Sequence, residues 1–300
     1  MVPRLGTLFG EPISAYFTML CVGYALAIAL VVRWAQREGH AVQSVIDCGL
    51  ASVVGGIVGG RLLHVLVDGY FWDYVHLCTD PSQVSLLVSR EVCADGLGSW
   101  ALGVCHPHTR DCLAWAKFYN GGLVFYGGLA LSAAAVLWLA KRDGLPRRAL
   151  SDASALAMLF GLVCGRVGCF LAGCCYGAPT DWPVGVSFPG GSPASEGQFR
   201  AGLLAHPSQA SLPVHPTQLY EALGCLALGV ALVRWPKRFD GEQALRALSG
   251  YASLRFVLEY VRADDRGHWL ALSTAQWFGL VILIASAWCW RTWSRPVIRA

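Results

Sequence analysis

The chain has 300 residues, of which 55% are hydrophobic and only 14% are charged, and its formal net charge is +4. Soluble domains carry roughly 25% charged residues, so this composition excludes an ordinary soluble protein and is typical of an integral membrane protein. The small positive charge lies mostly in loops, where it bears on orientation in the membrane and does not indicate a nucleic-acid partner.

Seven segments have the composition of membrane-spanning helices. A hydrocarbon core about 30 Å thick needs about 20 helical residues, and three uncharged apolar runs meet this length: 12–32, 118–140 and 269–290. Four weaker segments carry one or two polar or charged residues: 46–67, 153–172, 218–233 and 247–261. The first run is too long for a cleaved signal peptide. We therefore predict an all-α, polytopic membrane protein with seven transmembrane helices and one domain covering residues 1–300.

The basic residues predict how these helices are oriented. Short loops rich in Lys and Arg stay cytoplasmic. The two densest groups are Lys141, Arg142, Arg147 and Arg148, and Arg234, Lys237, Arg238 and Arg246. With seven crossings, this pattern places the N-terminus outside and the C-terminus in the cytoplasm.

Two connections on the predicted outer side, 68–117 and 178–214, are too long for simple loops, and we expect them to form a small external head. The first contains Cys78, Cys93, Cys105 and Cys112. Disulfides persist outside the cytoplasm, so we predict two of them, in one of three pairings. The alternative is a metal site of Cys105, His106, His108 and Cys112, whose spacing matches no standard zinc pattern.

Glycines surround the polar residues of the second and third predicted helices. Gly55, Gly56, Gly59 and Gly60 form two overlapping small-xxx-small pairs directly before Arg61, a pattern typical of close helix contact. Arg61 either points into a polar cavity or pairs structurally with a neighbouring helix. Tyr126 stands between two glycine pairs that leave space around its ring. It is either a ligand-facing phenol or an aromatic anchor at the membrane surface.

The fourth predicted helix places Arg166 inside the run GLVCGRVGCFLAGCCYG, residues 161–177. A charged side chain in an apolar span is costly unless it faces a partner, water or a ligand, so Arg166 is a candidate functional residue. Gly161, Gly165, Gly173 and Gly177 recur at four-residue steps, with Cys169 at the missing step. A helix here would carry a stripe of small residues that a second helix or a lipid can approach.

Further polar residues cluster at the start of the fifth predicted helix: His215, Gln218, Tyr220 and Glu221. Thr217 can cap this helix, and Glu221 suits the positive end of its dipole. Capping does not account for the whole cluster.

In the sixth predicted helix, Arg255, Glu259 and Arg262 follow an i, i+4, i+7 spacing that places them on one face. They form either a structural ion-paired seam or an internal anion site, because with Arg166 the buried arginines outnumber Glu259. A planar guanidinium binds phosphate oxygens through paired donors, so a phospholipid headgroup fits best. A transporter for a small anion or sulfur compound is the alternative.

Six ordered motifs carry a resemblance to a known family. They are Tyr16; Gly59-Gly60-Arg61; Gly121-Gly122 with Phe125-Tyr126-Gly127-Gly128; Gly165-Arg166 through Gly177; His215 through Glu221; and Arg255 with Glu259 and Arg262. Across nearly its whole length the chain resembles the prolipoprotein diacylglyceryl transferases of bacterial inner membranes. The resemblance implies a seven-helix fold with an external head and a multi-pass location in that membrane.

The resemblance also implies a reaction. Phosphatidylglycerol would bind between the helices, and its diacylglyceryl group would pass to the lipobox cysteine thiol of a preprolipoprotein, forming a thioether and releasing glycerol 1-phosphate. We expect no cofactor and no metal. The implied catalytic residues are Arg166, Arg255, Tyr126 and His215. The implied substrate-binding residues are Tyr16, Arg61, Cys169, Gly177, Gln218, Tyr220, Glu221, Glu259 and Arg262.

The chain departs from the pattern of many family members at three positions. Tyr126 stands where they have a histidine, and Cys169 and Cys174 stand where they have an asparagine and a glutamate. The general base is therefore open between His215, Glu221 and no single base, with the arginine charges favouring the thiolate. A homologue acting on another lipid or thiol acceptor is a further alternative.

The cysteines of this stretch, Cys169, Cys174 and Cys175, have either a packing role or a redox or acyl-carrier role. A disulfide between the adjacent Cys174 and Cys175 would be strained, so it is the least favoured arrangement.

Overall fold

The structure is a computed structural model that describes residues 4–8, 11–67, 70–85, 93, 98–101, 104–117, 124–263, 268–270 and 272–294. In this part, the chain is mostly helical. The helices are α1 Ala15–Glu38, α2 Val42–Val67, α3 Phe71–Thr79, α4 Phe125–Arg142, α5 Arg147–Ala172, α6 Pro193–Arg200, α7 Thr217–Arg234, α8 Glu242–Leu258 and α9 Thr274–Trp293. Three antiparallel hairpins pair β1 Arg4–Leu8 with β2 Glu11–Ser14, β3 Gly98–Ala101 with β4 Val104–Pro107, and β5 His268–Trp269 with β6 Leu272–Ser273.

Each of the seven predicted segments contains a helix. Among the described residues, three helices are long and apolar enough to cross a membrane, namely α1, α2 and α5. The chain is therefore a membrane protein, while seven crossings and their orientation stay predictions. Helix α9 begins at Thr274 rather than at residue 269 because the β5–β6 hairpin precedes it. A capping box fixes this start, since the Ser273 side chain accepts from the Gln276 N–H and Gln276 Oε1 accepts from the Ser273 N–H.

The chain divides into two compact units: a small unit, Ala41–Leu145, and a large unit, Met1–His40 with Pro146–Ala300. The small unit is built on the contact between α2 and α4. A Cβ atom added at Gly55 would lie 2.9 Å from Ser132 Cα, and one at Gly59 would overlap the Gly127 carbonyl oxygen. The close contact predicted from these glycines is confirmed.

Two disulfides join four cysteines of the small unit, Cys78 with Cys112 and Cys93 with Cys105, while its Cys48 is free. The prediction of two disulfides is confirmed, and the pairing is now defined. The alternative metal site is wrong because the sulfurs of Cys105 and Cys112 are both held in disulfides. Since disulfides persist outside the cytoplasm, this pairing agrees with the predicted external position of the segment.

In the large unit, α1 and α5 approach each other at glycines. A Cβ atom at Gly23 would lie 2.7 Å from the Gly161 carbonyl oxygen, and one at Gly168 would lie 2.9 Å from Met19 Cβ. The predicted stripe of small residues from Gly161 to Gly177 is only partly confirmed. A Cβ atom at Gly165 would meet nothing within 4 Å among the described residues, and α5 ends at Ala172 with Gly173 in the left-handed region at φ 74°. Gly173 and the following Gly177 therefore do not belong to the helix.

We expect Gly23→Ala to destabilise the protein by about 1–3 kcal/mol, because the added methyl group overlaps backbone of α5. Gly165→Ala is the matched substitution in open space, and the higher helix propensity of alanine favours it by up to about 1 kcal/mol. Thermal unfolding of the purified protein measures both. Equal shifts of the two unfolding midpoints would contradict the α1–α5 contact.

A buried carboxylate connects α5 to the start of α8. Asp152 Oδ2 accepts a hydrogen bond from the Gly241 N–H, and Oδ1 accepts one from the Ala244 N–H, both at 2.9 Å. Gly241 itself has φ 97°, and a Cβ atom there would lie 2.6 Å from the Trp293 ring, so glycine is required. Asp152 thus satisfies donors that the first turn of α8 cannot bond within the helix.

The chain between α5 and α7 folds back across the ends of these two helices. Phe188, Ala194 and Val214 form its buried core together with Phe170 of α5. The Val186 and Val214 backbones exchange hydrogen bonds of 3.0 and 3.1 Å. This packing fixes the turn that follows α5 next to the start of α7, where the candidate site lies.

Candidate functional site

The site is organised around an ion pair between α5 and α7. Arg166 Nη2 lies 2.9 Å from Glu221 Oε1, and the Glu221 side chain is only 1% exposed. The hydroxyl of Tyr251, on α8, donates to the same carboxylate oxygen at 2.8 Å. Three helices thus meet at one carboxylate. The residue spacing gave no indication of Tyr251, because tyrosine is common in apolar helices.

Two acceptor atoms beside this ion pair have no hydrogen-bond partner among the described residues: Glu221 Oε2 and Gln218 Oε1. Both side chains are 1% exposed. Buried polar atoms are nearly always hydrogen-bonded, so unpaired ones call for a ligand or water. Two free acceptors are suited to hydroxyl groups of a bound molecule.

A second buried pair lies at the end of α8, where Arg255 Nη1 is 2.7 Å from Glu259 Oε2 and the two side chains are 12% and 8% exposed. The predicted i, i+4 pair is confirmed. The distance is that of an ion pair, but Arg255 Nη1 and Nη2 and Glu259 Oε2 are not aligned for a hydrogen bond with any described residue. The guanidinium therefore keeps donor capacity.

Arg262 does not share the helical face predicted for it. Helix α8 ends at Leu258 and a short 3₁₀ turn, Glu259–Val261, follows. Arg262 is extended at φ −86° and ψ 151° and forms a backbone bridge with Gly177. Residues three or four positions apart share a face only within a continuous helix, and α8 ends before Arg262. Arg262 instead reaches the turn that follows α5.

The start of α7 holds that turn through two side chains. Thr217 Oγ1 donates to the Cys175 carbonyl oxygen at 2.8 Å, and Gln218 Nε2 donates to the Cys174 carbonyl oxygen at 2.7 Å. Thr217 was expected to cap α7, which is wrong, because its hydroxyl is used in this contact and the N-cap residue is Pro216. Gln218 and Thr217 are positioning residues for the cysteine turn.

Gly177 and His215 close the same turn. The Gly177 N–H donates to the His215 carbonyl oxygen at 2.9 Å, and a Cβ atom on Gly177 would lie 2.5 Å from the Val261 carbonyl oxygen. His215 Nδ1 is hydrogen-bonded to the Tyr220 hydroxyl at 3.2 Å. Two members of the predicted cluster, His215 and Tyr220, are thus brought together at the start of α7.

Cys169, Cys174 and Cys175 come together where α5 ends, with their Sγ atoms all within 4.8 Å of one another. All three are free thiols, so the strained vicinal disulfide is not formed. Hydrogen bonds from the thiols of Cys169 and Cys174 and the charges of Arg166 and Arg262 lower the pKa of Cys175, although burial opposes them. The sequence did not identify Cys175 as a site residue, because a cysteine among small residues is usually a buried packing residue.

Tyr16 of α1 lies beside α5, since a Cβ atom at Gly168 would lie 3.2 Å from the Tyr16 carbonyl oxygen. Its hydroxyl lies within electrostatic range of Arg166 and the three cysteines.

Arg61 belongs to the small unit and is 7% exposed. Its Nε donates to the Trp115 carbonyl oxygen at 2.6 Å and its Nη2 donates to the Ala114 carbonyl oxygen at 2.8 Å. The guanidinium also lies 5.1 Å from the centre of the Tyr74 ring. These contacts favour the structural alternative for Arg61. Gly121, Gly122 and the Tyr126 side chain lie outside the described residues.

The large unit therefore contains two buried ion pairs, Arg166 with Glu221 and Arg255 with Glu259, together with Arg262 beside the turn that follows α5. One net positive charge results when all five groups are ionised. In an apolar surrounding this favours an anionic ligand, and the free acceptors of Glu221 and Gln218 favour one that also carries hydroxyl groups.

Comparison with known proteins agrees with this chemistry. Residues 3–292 match the family model for prolipoprotein diacylglyceryl transferase. The chain is similar to phosphatidylglycerol–prolipoprotein diacylglyceryl transferases of Clostridium tetani, at 27% identity over 95% of this chain and 94% of the relative, and of Corynebacterium diphtheriae, at 33% identity over 85% and 79%. The Bordetella bronchiseptica enzyme is 28% identical over 99% and 95%.

Proposed function

Because the chain belongs to the prolipoprotein diacylglyceryl transferase family, we propose that it transfers the diacylglyceryl group of phosphatidylglycerol to the lipobox cysteine thiol of a preprolipoprotein. It is a transferase of lipoprotein biosynthesis and a membrane protein. The proposed location is the bacterial inner membrane. The products are a thioether-linked diacylglyceryl protein and glycerol 1-phosphate.

One observation carries the proposal: the buried pair of Arg166 and Glu221 has unpaired acceptors beside it and an incompletely bonded Arg255 in the same unit. Phosphatidylglycerol offers a phosphate for the guanidinium groups and glycerol hydroxyls for Glu221 Oε2 and Gln218 Oε1. A small inorganic anion would satisfy the arginines but would leave these acceptors unpaired, which is costly in a buried site.

The reaction exchanges two bonds at one carbon. The acceptor sulfur attacks the glyceryl carbon, its electron pair forms the C–S bond, and the C–O bond to phosphate breaks. The leaving glycerol phosphate takes the electrons of that bond, so negative charge develops on its oxygens. Arginines fixed near these oxygens lower the barrier because they are already oriented before the reaction. Arg166 and Arg255 are proposed for this role.

The other predicted residues have supporting roles in the proposal. His215, hydrogen-bonded to Tyr220, is a candidate to receive the thiol proton, since neutral imidazole is a general base at neutral pH. Glu221 is less suited to that task because its Oε1 already bonds Arg166 and Tyr251. Tyr16, Glu259 and Arg262 are proposed to complete the lipid-binding surface. In the small unit, Tyr126 stays a proposed catalytic residue, while the contacts of Arg61 favour a structural role over the predicted substrate binding.

The test is transfer by the purified full chain in lipid vesicles that contain labelled phosphatidylglycerol and a lipobox peptide. Wild type should yield lipidated peptide and glycerol phosphate in equal amounts. Arg255→Ala should reduce the rate by about 100–1000-fold, the loss typical of a donor to transition-state charge.

Arg200→Ala is the matched control in the same unit, because the Arg200 side chain is 80% exposed and its ion pair with Glu196 is long, at 3.9 Å. Exposed pairs contribute little, so its rate should equal that of wild type. Absence of transfer by wild type would overturn the proposal. Passage of anions through the vesicle membrane without lipid turnover would favour the transporter.

A further inference from the structure

The three cysteines at the end of α5 are a group for which the proposed reaction assigns no chemistry. Cys169, Cys174 and Cys175 present three thiols to one point. Among the described residues they are the only three potential metal ligands found so close together. They are free thiols, whereas Cys78, Cys93, Cys105 and Cys112 are joined in disulfides.

Their spacing is close to that of a thiolate metal site. A Zn–S bond is about 2.3 Å long, so sulfurs at three corners of a tetrahedron lie about 3.8 Å apart. The sulfurs here lie at most 4.8 Å apart. The longest of these distances exceeds the tetrahedral spacing by at most about 1 Å.

The backbone that carries the thiols is held before any metal binds. Gly173 turns the chain at φ 74°, and Cys175 has φ 61°, a conformation that residues other than glycine rarely adopt. Thr217 and Gln218 bind the carbonyl groups of Cys175 and Cys174. These contacts make the turn a built site rather than a chance grouping.

The surrounding charges suit a metal–thiolate complex. Three thiolates and one divalent cation have a net charge of −1, which is costly in an apolar region unless positive groups are near. The charges of Arg166 and Arg262 both act on Cys175. The same arginines would therefore stabilise the complex.

We propose that Cys169, Cys174 and Cys175 bind one Zn²⁺ ion whose fourth coordination position takes the acceptor cysteine thiol. The second part rests on the proposed function. Catalytic zinc sites hold the metal with three protein ligands and keep the fourth position open. A thiol that coordinates zinc is deprotonated, so the metal would supply the thiolate without a protein base. This departs from the metal-free site expected from the sequence.

The step balances without a redox change. On binding to the proposed zinc ion, the acceptor thiol would lose its proton to water. The sulfur electron pair then forms the C–S bond while the C–O bond breaks, and glycerol phosphate takes the electron pair. The zinc ion keeps its charge throughout, and the thioether product, being a neutral ligand, binds it more weakly than the thiolate did.

The site is tested first by metal binding to the full chain in detergent, with any purification tag removed and Co²⁺ as a spectroscopic substitute for Zn²⁺. Wild type should bind one equivalent and show thiolate-to-cobalt charge-transfer absorption. Each of the substitutions Cys169→Ser, Cys174→Ser and Cys175→Ser should weaken metal binding by more than the roughly 10–100-fold caused by loss of an outer-sphere partner. The control is Cys164→Ser, which changes a free cysteine of α5. This variant should bind the metal as wild type does.

Because a serine variant can misfold, protection of wild type from alkylation provides an independent measurement. Zn²⁺ should shield Cys169, Cys174 and Cys175 from a maleimide reagent and leave the reactivity of Cys164 unchanged. Absence of protection, or a disulfide within the cluster and no metal uptake after reduction, would overturn the proposal.

Transfer assays then separate this proposal from the proposed function. Loss of transfer after chelation and its recovery with Zn²⁺ would support both. Full transfer by protein shown to contain no metal would overturn the zinc proposal and leave the transferase activity established. Zinc bound by the three cysteines, with no transfer by any preparation, would support the metal site and overturn its catalytic part together with the proposed function.

Discussion

Replacing Arg166 with alanine should reduce diacylglyceryl transfer by about 100–1000-fold and destabilise the protein by about 3–5 kcal/mol. Both effects follow from one contact, since Arg166 Nη2 lies 2.9 Å from Glu221 Oε1 and Glu221 is 1% exposed. Alanine removes the donor proposed for the leaving phosphate and leaves a buried carboxylate without its cation. Initial rates of transfer and thermal unfolding of the purified protein measure the two effects separately.

The double variant Arg166→Ala with Glu221→Gln separates the two roles. The amide carries no charge and its oxygen still accepts from the Tyr251 hydroxyl, so most of the lost stability should return. Transfer should not return, because the guanidinium proposed for Arg166 at the leaving phosphate is still missing. Recovery of activity in the double variant, or transfer by Arg166→Ala within a few-fold of wild type, would show that Arg166 only neutralises Glu221.

Asp152→Ala should destabilise the protein by about 2–3 kcal/mol, measured as a lowered midpoint of thermal unfolding. The substitution leaves the N–H groups of Gly241 and Ala244 without their acceptor at the start of α8, and it removes a negative charge from the positive end of the helix dipole. Each buried donor left unpaired costs about 1–3 kcal/mol.

Asp240→Ala is the matched control for this change. Both carboxylates pair with Lys237, Asp152 at 3.4 Å and Asp240 at 2.8 Å. The Asp240 side chain is 58% exposed, whereas that of Asp152 is 6% exposed. An exposed ion pair contributes at most about 1 kcal/mol. If both substitutions lowered the unfolding midpoint equally, the stabilisation would come from Lys237 and not from the capping of α8.

The helices of the fold could be predicted because their signal is local. Apolar runs and glycine spacing located all seven long segments and the close contact of α2 with α4. The ends of elements depended on distant residues. Thr217 could be a cap by sequence, but its hydroxyl binds Cys175. Arg262 followed a helical spacing, but α8 ends before it. Neither outcome is encoded near the residue itself.

The charged residues of the candidate site could be predicted because a buried charge is costly. Residues of types that are common in apolar helices could not be predicted. Arg166, Glu221 and Arg255 stood out because ionised groups in apolar helices need partners. Tyr251 completes the same network but has no local signature. The three cysteines were visible in the sequence, yet their convergence depends on the turn at Gly173 and Cys175. Spacing alone could not show that their sulfurs face one another.

If the small unit's disulfide segment lies on the predicted outer side of the membrane, maturation of this unit depends on the redox state of that compartment. Cys78–Cys112 and Cys93–Cys105 span 34 and 12 residues, and closing loops of these sizes corresponds to about 4 and 3 kcal/mol of stabilisation. A newly synthesised chain lacks this contribution until an oxidant reaches it. The rate of thiol oxidation should therefore determine how long the nascent protein remains exposed to membrane proteases, and cells with impaired thiol oxidation should accumulate less of it.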